Sequence, residues 1–570
     1  MFRKWVKVAF SGRLRWLLND FVRFLKKPNE QIALWSDLID THAKAKFLRR
    51  QDGGRHGDGN ALIVSLTDNP FQIKVEAIFA IALRIAGFKI KVINRSKNDR
   101  WAIRYFKSFG IQNKIFWDEI CLTTNELHEV NKAHARFCSL VSSGQGFEKI
   151  KKWEFRGCCI GTQILSSAGR GFRTAGLDLS NPKTQREIKE ITRISLETVY
   201  KAERLIVSEK PDLMYVMEAN YSQNGAITDV ATQRGIDFIQ VCQVGQDNAL
   251  ILRRLNSKNR RQHPWSITKS NLRKYAESPL TNKEKEKLNR IFENRYNGTS
   301  FLQSRNHPKS PKKSYDQIIS QFNFDPSKKI AVIYSHVLWD ANLFYGEDLF
   351  ADYGEWFIET VKAAIKNESV NWLIKLHPAN VWKRRREGAT EELSELSLIK
   401  KHICRPENLP SHVQILMPDC EIGTVSLREI ADYAVTVRGS VAVEFPPLGI
   451  PVITAGTGRA SNFGFTCDSK TKKEYLDKIS NLESIQKLSR KQKENAECYA
   501  YAVLNCRPWI LKSFTCKYMK SDNGSHPLES NIIINAKNWD EIKQNGDLFK
   551  VSSWVTNKDE VDFFENSRKY

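Results

Sequence analysis

The stretch DYAVTVRGSVAVEFPPLGIPVITAG, residues 432–456, decides the fold. A short apolar run, YAVTV, leads through a small-residue turn into a segment that carries Glu444, and a second apolar run, PVITAG, follows. This order predicts a strand, a turn, a helix and a parallel strand, the unit from which open α/β sheets are built. Because ligands of such sheets bind at the carboxyl ends of the strands, the turn between Thr436 and Ser440 is a predicted binding position.

The same rhythm extends outward on both sides of this stretch. KKIAVIYSH, NWLIKLHP and VQILMP are further apolar runs of strand type in the second half, and ALIVSLT, FKIKVIN, PDLMYVME and IDFIQVCQ alternate with helical segments in the first. The sequence therefore predicts an α/β fold with two Rossmann-like domains facing a cleft. The predicted divisions are a basic amphipathic helical segment at 1–50, an acceptor-side domain at 51–325, a nucleotide-binding domain at 326–515 and a polar tail at 516–570.

Two details refine this division. The stretch 257–327 is polar and basic without apolar periodicity, and we predict the interdomain connection at its end. In SLRE, Ser426 and Glu429 have the spacing of a capping box, which predicts that a helix begins at Ser426.

Composition narrows the partners. The chain of 570 residues carries 89 basic and 64 acidic residues, a net charge of +25, which indicates a polyanionic partner. The sequence contains no recognisable nucleic-acid module, so no nucleic acid is expected. Eleven scattered cysteines and the lack of a long apolar run predict a cytoplasmic protein with reduced thiols. The N-terminal segment alternates apolar and basic residues, as in a helix that lies peripherally on the inner membrane or one that docks on its own protein.

The motif KLHPAN carries the first candidate ligand-binding residues. Lys375, His377 and Pro378 fall at the end of a predicted buried strand, where proline cannot continue the ladder of hydrogen bonds. Lys375 can neutralise a phosphate and His377 can donate a hydrogen bond to it. The alternative is a proline that ends the strand beside an ordinary half-buried histidine.

The turn TVRGS carries the second group. Gly439 lets the backbone approach a ligand, Ser440 offers a hydroxyl group and Arg438 adds a cation, which together are suited to an anion. Glu444 lies one helical turn further on, where its carboxylate can bind a ribose diol or pair with a neighbouring arginine. The turn GTVS adds two hydroxyl groups, those of Thr424 and Ser426, although capping alone would explain Ser426.

The series SHVLWDANLF, KLHPAN, IGTVSLREIADYAVTVRGS and EFPPLGIPVITAG resembles bacterial capsule polysaccharide biosynthesis proteins, which are glycosyltransferases of the GT-B type. The resemblance covers most of the second half of the chain and, more loosely, residues 211–243. It implies a GT-B fold and a nucleotide-sugar donor, with a CMP-sugar favoured over a UDP-sugar. It also implies that His377 contacts the donor phosphate, that Thr436 and Ser440 lie beside it and that Glu444 faces the ribose.

Sugar transfer to a hydroxyl group requires a base, and the first domain normally supplies it in such enzymes. We predict Glu218, which follows the strand PDLMYVME, with Asp340 as the alternative. Tyr221 and Asn224 follow Glu218 in a loop that can bind sugar hydroxyls. His56 and Asp58, in an early glycine-rich loop, are a further acceptor-side pair, although loop polarity alone would explain them.

The prediction is therefore a metal-independent glycosyltransferase, with no cofactor, that transfers a sugar to a growing surface or capsular polysaccharide, free or lipid-linked. Lys375, Arg438 and His377 would take the place of a metal in stabilising the leaving phosphate. Two alternatives stay open. One is a nucleotide-sugar epimerase of similar fold, and the other is a non-catalytic scaffold for glycan export.

Overall fold

The computed structural model describes residues 28–49, 57–143, 146–276, 278–297, 312–381, 392–518, 528–566 and 568. Up to residue 255 the elements are α1 (Pro28–Lys44), β1 (Asn60–Ser65), α2 (Pro70–Ile85), β2 (Lys89–Asn94), α3 (Arg100–Ser108), β3 (Lys114–Phe116), α4 (Thr124–Ser142), α5 (Phe147–Lys151), α6 (Ile160–Phe172), α7 (Pro182–Glu209), β4 (Leu213–Val216), α8 (Asn224–Gln233), β5 (Asp237–Gln243) and β6 (Ala249–Leu255). From there to residue 454 they are α9 (Lys269–Ala276), α10 (Asn282–Tyr296), α11 (Tyr315–Phe322), β7 (Lys329–Tyr334), α12 (Tyr353–Lys366), β8 (Val370–Lys375), α13 (Ser394–His402), β9 (Val413–Leu416), α14 (Thr424–Ile430), β10 (Tyr433–Thr436), α15 (Val441–Glu444) and β11 (Val452–Thr454). The last are β12 (Cys467–Asp468), α16 (Lys472–Ser480), α17 (Arg490–Tyr501), β13 (Trp509–Ile510), β14 (Phe514–Tyr518), β15 (Ser530–Ile534), α18 (Trp539–Asn545) and α19 (Asp547–Thr556).

The chain divides into two compact units, each of them discontinuous in sequence. The first unit takes Met1–Cys121, Glu209–Met217 and Leu511–Lys558, and the second takes the remaining segments, Leu122–Ser208, Glu218–Ile510 and Asp559–Tyr570. The boundaries between the four segments expected from the sequence stay a prediction.

The first unit contains parallel strands in the order β4-β1-β2-β3. β1 and β2 pair from Asn60 opposite Lys89 to Ser65 opposite Asn94, so both strands end on a buried polar residue. The helix α2 crosses between them and begins at Asn69, whose side chain accepts hydrogen bonds from the next backbone N–H groups and satisfies the helix start. This βαβ unit confirms the opening predicted from the alternation of apolar runs.

The second unit contains a six-stranded parallel sheet in the order β12-β11-β10-β7-β8-β9. Its strands are buried along nearly their whole length, as expected of a parallel sheet with both faces covered. β7 and β8 end together, with Tyr334 opposite Lys375, and Thr436 ends β10 on the other side of β7. Strands β13-β6-β5, paired antiparallel, also belong to this unit. The predicted α/β class with largely parallel sheets is confirmed.

The stretch 257–327 does have apolar periodicity, so the lack of it inferred from the sequence was wrong. It contains α9, α10 and α11, and α10 begins with a capping box between Thr281 and Glu284. Leu288, Phe292 and Tyr296 recur every four residues, form one face of α10 and are buried in the same core as β7 and β8. The many charged residues of this stretch hid that spacing, because they occupy the exposed face of the helix.

The predicted polar tail was also wrong within the described residues. β14 and β15 pair antiparallel in the first unit, and α19 packs on α2. In the second unit Asp562 is fully buried, 2.9 Å from Arg253 and 3.1 Å from Arg507. Although burial acts in the opposite direction, the two guanidinium groups hold the pKa of Asp562 below its usual range. The end of the chain therefore completes the core.

The predicted membrane-surface helix within residues 1–27 lies outside the described residues. α1, which follows it, packs through Leu34 and Leu38 within the first unit. Among the described helices, none is long and apolar enough to cross a membrane.

Candidate active site

The ends of β7, β8 and β10 line a cavity of about 270 Å³ in the second unit, which we call the strand-end cavity. Parallel strands present their carboxyl ends at one edge of a sheet, so three separate segments of sequence meet here. Eight of the residues predicted to bind the donor line it: Lys375, His377, Pro378, Thr424, Thr436, Gly439, Ser440 and Glu444.

Lys375 places a buried cation in the wall of this cavity. It is the last residue of β8 and only 3% exposed. Its Nζ lies 3.3 Å from the carbonyl oxygen of Met417 and 3.1 Å from Sγ of Cys420, and these partners carry no full negative charge when the thiol is protonated. An anion in the cavity would therefore be its natural counter-charge.

His377 is held in one orientation by its neighbours. Its backbone N–H donates to Oγ of Ser335 at 3.0 Å, and its Nδ1 accepts the N–H of Ala379 at 3.1 Å. Because Nδ1 accepts a hydrogen bond, the neutral ring carries its proton on Nε2. His377 is thus a hydrogen-bond donor at the strand end.

A second histidine, His336, holds the turn after β10 through hydrogen bonds. Nε2 of His336 faces the backbone N–H of Val437 at 3.3 Å, and burial lowers the pKa of His336 well below its usual range. The hydroxyl of Thr436 accepts the N–H of Gly439 at 3.1 Å, and a Cβ on residue 439 would lie 2.7 Å from that hydroxyl oxygen. Gly439 is therefore required for this close turn.

Glu444 is already paired within the protein. One carboxylate oxygen lies 2.8 Å from Nε of Arg295, and the hydroxyl of Tyr296 donates to the other. Burial, and then the Glu444 carboxylate, raise the pKa of Tyr296 well above its usual range. The sequence left two roles open for Glu444, binding a ribose diol or pairing with an arginine. The structure shows the pairing with an arginine, and Glu444 also lines the cavity.

Arg295, at the end of α10, also lines the cavity and was not predicted from the sequence. Its Nη2 donates to Oγ of Ser440 at 3.1 Å and its Nη1 to the carbonyl oxygen of Gly245 at 3.4 Å. The helix α10 lies in the polar and basic stretch 257–327, where no strand-end motif marks a ligand-binding residue. The capping box and the four-residue apolar spacing around Leu288 were the signals that could have found it.

Arg459 is the second cation that the sequence analysis missed. Its guanidinium stacks over the ring of Trp265 at 4.1 Å and its Nε donates to the carbonyl oxygen of Arg438 at 3.0 Å. Its Nη1 is buried without a hydrogen-bond partner among the described residues. Burial, and next the charge of Arg295, lower the pKa of Arg459 to about 10. Arg459 lies in none of the sequence motifs that suggested ligand-binding residues, so no local pattern marked it.

The electrostatic balance of the strand-end cavity is positive. Lys375, Arg295 and Arg459 face one carboxylate, that of Glu444. Because charges held this close in a partly desolvated space repel one another strongly, the arrangement favours an anionic ligand.

Two residues predicted for the donor site lie elsewhere. Arg438 is 3% exposed, and its guanidinium pairs with Asp348 and donates to the carbonyl oxygen of Phe344, so it does not line the cavity. Ser426 lies inside α14, which begins at Thr424, and its Oγ accepts the backbone N–H of Lys313 at 3.0 Å. The predicted capping box at Ser426 is therefore wrong, because the helix begins two residues earlier.

The candidate bases are linked in one network outside the strand-end cavity. Glu218, half exposed, pairs with Arg170 at 3.2 Å, and that guanidinium lies 4.5 Å from the ring centre of Tyr221. The hydroxyl of Tyr221 donates to Oδ1 of Asp340 at 2.8 Å. Burial, and then Asp340, raise the pKa of Tyr221 well above its usual range. The sequence could not have shown that both carboxylates belong to one network, because Arg170 lies on the distant helix α6.

The remaining acceptor-side residues make contacts of their own. Asn224 is the first residue of α8, and its carbonyl oxygen accepts the hydroxyl of Thr228 at 2.7 Å. Asp58 belongs to the first unit, is fully exposed and pairs with Lys89 at 3.1 Å. His56 lies outside the described residues. Their roles stay predictions.

No group of three or more His, Cys, Asp or Glu side chains in the described part of the chain is placed to hold a metal ion.

No protein-family model matches the chain, and no curated protein is similar to it. Solved structures similar to it include KpsC of Thermosulfurimonas dismutans. Its beta Kdo 2,4 transferase is 13% identical over 59% of this chain and 87% of that one, with a TM-score of 0.29. Its beta Kdo 2,7 transferase is 13% identical over 62% and 90%, with a TM-score of 0.30. The UDP-GlcNAc 2-epimerase of Neisseria meningitidis, bound to UDP-GlcNAc, is 13% identical over 78% and 97%, with a TM-score of 0.24.

Proposed function

We propose that the protein is a glycosyltransferase that moves a sugar from a nucleotide-sugar donor to a growing surface or capsular polysaccharide. The observation that carries the proposal is the charge of the strand-end cavity, where Lys375, Arg295 and Arg459 face the single carboxylate of Glu444. The buried Nη1 of Arg459, which lacks a partner among the described residues, adds a donor for the same anion. The motif resemblance to GT-B glycosyltransferases supplies the reaction class.

In this proposal the cavity holds the donor phosphate. The bond between the anomeric carbon and the phosphate oxygen breaks, and the nucleotide leaves with the electron pair. Lys375, Arg295 and the Nε2–H of His377 stabilise the charge that develops on that oxygen, because they are fixed in place before the reaction begins. The acceptor oxygen forms the new bond to the anomeric carbon.

The proton of the acceptor hydroxyl passes to a carboxylate of the Glu218 and Asp340 network. We propose Glu218 as the base, because its exposed carboxylate is accessible to a substrate. Asp340 would then hold Tyr221 in position through the hydrogen bond from its hydroxyl. The motif resemblance favours a CMP-sugar, with a UDP-sugar as the second candidate, and contact with the inner membrane would come from the N-terminal segment.

A thermal-shift panel of CMP, CDP, UDP and GDP tests the donor site, because a ligand that binds the folded state raises its melting temperature. We expect one pyrimidine nucleotide to stabilise the protein in a saturable manner. A protein that responds to none of the four would contradict the proposal and favour a scaffold. Incubation with the corresponding nucleotide-sugar alone then separates transfer from epimerisation, since only an epimerase converts the donor without an acceptor.

A further inference from the structure

A second cavity of about 630 Å³ lies in the same unit, and we call it the basic cavity. Three cationic side chains line it, those of Lys258, Arg261 and Lys269, whereas Glu347 is the one carboxylate in its lining. None of the three cations forms an ion pair with a residue that the structure describes. An excess of exposed, uncompensated positive charge around a concave surface attracts an anionic ligand.

His263 gives the basic cavity a fixed, buried donor. It lines the cavity but is only 6% exposed, and its Nδ1 accepts the backbone N–H of Trp265 at 3.0 Å. The proton of the neutral ring is therefore on Nε2, for which the described residues provide no hydrogen-bond partner. Burial, and next the charge of Arg459, lower the pKa of His263 well below its usual range, so the ring stays neutral.

The rest of the lining is suited to a sugar. The hydroxyl groups of Thr268 and Ser461 can exchange hydrogen bonds with sugar hydroxyls, and the rings of Tyr345 and Phe463 offer apolar faces against which a sugar ring can pack. A surface that recognises only the negative charge of a polyphosphate or nucleic acid would need neither the hydroxyl groups nor the aromatic rings.

The basic cavity shares a wall with the strand-end cavity. His263 lines the former and Trp265 the latter, with their ring centres 6.3 Å apart. On the opposite chain segment Gly458 lines the basic cavity and Arg459 the strand-end cavity. Neighbouring residues of the same two chain segments thus line the two cavities.

We propose that the basic cavity binds the acceptor and that this acceptor is an anionic saccharide, one whose sugars carry carboxylate or phosphate groups. Lys258, Arg261 and Lys269 recognise its charge, and the Nε2–H of His263 donates to one of its oxygens. This inference rests on the proposed function, because it assigns the strand-end cavity to the donor.

Binding of tetragalacturonate, compared with its carboxyl-reduced neutral counterpart, tests the inference by calorimetry. We expect the acidic tetrasaccharide to bind at least about ten-fold more tightly, since its carboxylates can form charge-assisted hydrogen bonds with the cations that line the cavity. The double variant K258A/R261A should lose at least about ten-fold of that affinity. The matched control K287A/R290A, which removes the same charge from the exposed face of α10, should stay within about two-fold of the wild type.

Equal binding of the acidic and the neutral tetrasaccharide, or of neither, overturns the inference. So does a K258A/R261A variant that binds like the control. Tetrathymidylate that binds as tightly as tetragalacturonate, with the same loss in K258A/R261A, would also overturn it, because the cavity would then recognise charge alone. The nucleotide panel is run on the same proteins. A lack of nucleotide binding with intact tetrasaccharide binding contradicts the proposed function and leaves a glycan site.

Discussion

The strand ends of the two units' parallel sheets differ in charge. In the first unit Ser65 and Asn94 end β1 and β2, and the buried carboxyl group near them is that of Glu76. Burial raises the pKa of Glu76 to about 8, although Ser65 and Gln72 act in the opposite direction, so this carboxyl is uncharged at neutral pH. In the second unit the strand ends hold Lys375 beside two arginines. The same α/β rhythm thus produces a neutral interior in one place and a cationic cavity in the other.

This difference shows that the position at a strand end is not sufficient to make a binding site. Both sheets are parallel and both present polar residues at the carboxyl ends of their strands. What separates them is the charge that other elements add, chiefly Arg295 from α10 and Arg459 from the segment after β11.

The largest expected effect is on the rate of sugar transfer. It tests whether the second unit, which has the cationic strand ends, also carries the catalytic base. Replacing Glu218 by Gln should lower the transfer rate by roughly 10²–10⁴-fold, because the base is removed while its shape is kept. Asp340→Asn should lower the rate less, since Oδ1 can still accept the hydroxyl of Tyr221. Initial rates at saturating donor measure both. A larger loss in Asp340→Asn would reverse the two roles.

The second-largest effect is expected when a cation is removed from the strand-end cavity, which should weaken nucleotide binding. Arg295→Met should raise the nucleotide Kd by roughly 10–100-fold, because a charged hydrogen-bond donor is lost from a partly desolvated site. Arg290→Met, an exposed residue of the same helix, is the control and should bind as the wild type does. The double variant R295M/E444Q removes the buried carboxylate as well. If it regains nucleotide binding, Arg295 acts only by neutralising Glu444.

A smaller effect is expected at Lys375. Its Nζ also contacts Met417 and Cys420, so part of its charge already serves the protein. Lys375→Met should weaken nucleotide binding by about ten-fold, and the dependence of log Kd on log salt should become shallower. An unchanged salt dependence would mean that Lys375 does not meet the phosphate. Titration calorimetry at three salt concentrations gives both quantities.

The smallest effect on the proposed activity is expected in the first unit, where the change concerns stability alone. Because the pKa of Glu76 is raised in the folded state from 4.5 to about 8, the folded protein binds more protons than the unfolded chain within that window. The free energy of unfolding should therefore fall with rising pH by about 1.4 kcal/mol per pH unit in the middle of that window. Glu76→Gln should remove this component. Denaturant unfolding at a series of pH values measures it, and parallel curves for the two proteins would contradict it.

Much of the fold follows from the sequence because apolar runs of strand type are local signals. The turn between Thr436 and Ser440, the βαβ opening and the strand before His377 were all predictable in this way. The helix α10 was not, because the charged residues of its exposed face outnumber its few apolar residues in any average over the segment.

The residues of the candidate site also fall into those that local sequence patterns predict and those that they do not. Lys375, His377 and Gly439 lie at strand ends that the sequence marks, and the structure brings them together. Arg438 has the expected residue type in the expected turn, yet its side chain pairs with Asp348 ninety residues away. Contacts between distant segments decide which way a long side chain points, and no local pattern contains that information.

The buried contacts of Asp562 also constrain the order in which this protein can be completed during synthesis. Arg253 and Arg507 are fully buried, and removing the single carboxylate that both contact would leave them without that counter-charge, a change that costs about 3–5 kcal/mol. A ribosome reaches residue 562 long after it has made the sheet of the second unit. Until the segment with Asp562 has been made, Arg253 and Arg507 lack their buried counter-charge, so the second unit reaches its full stability only afterwards.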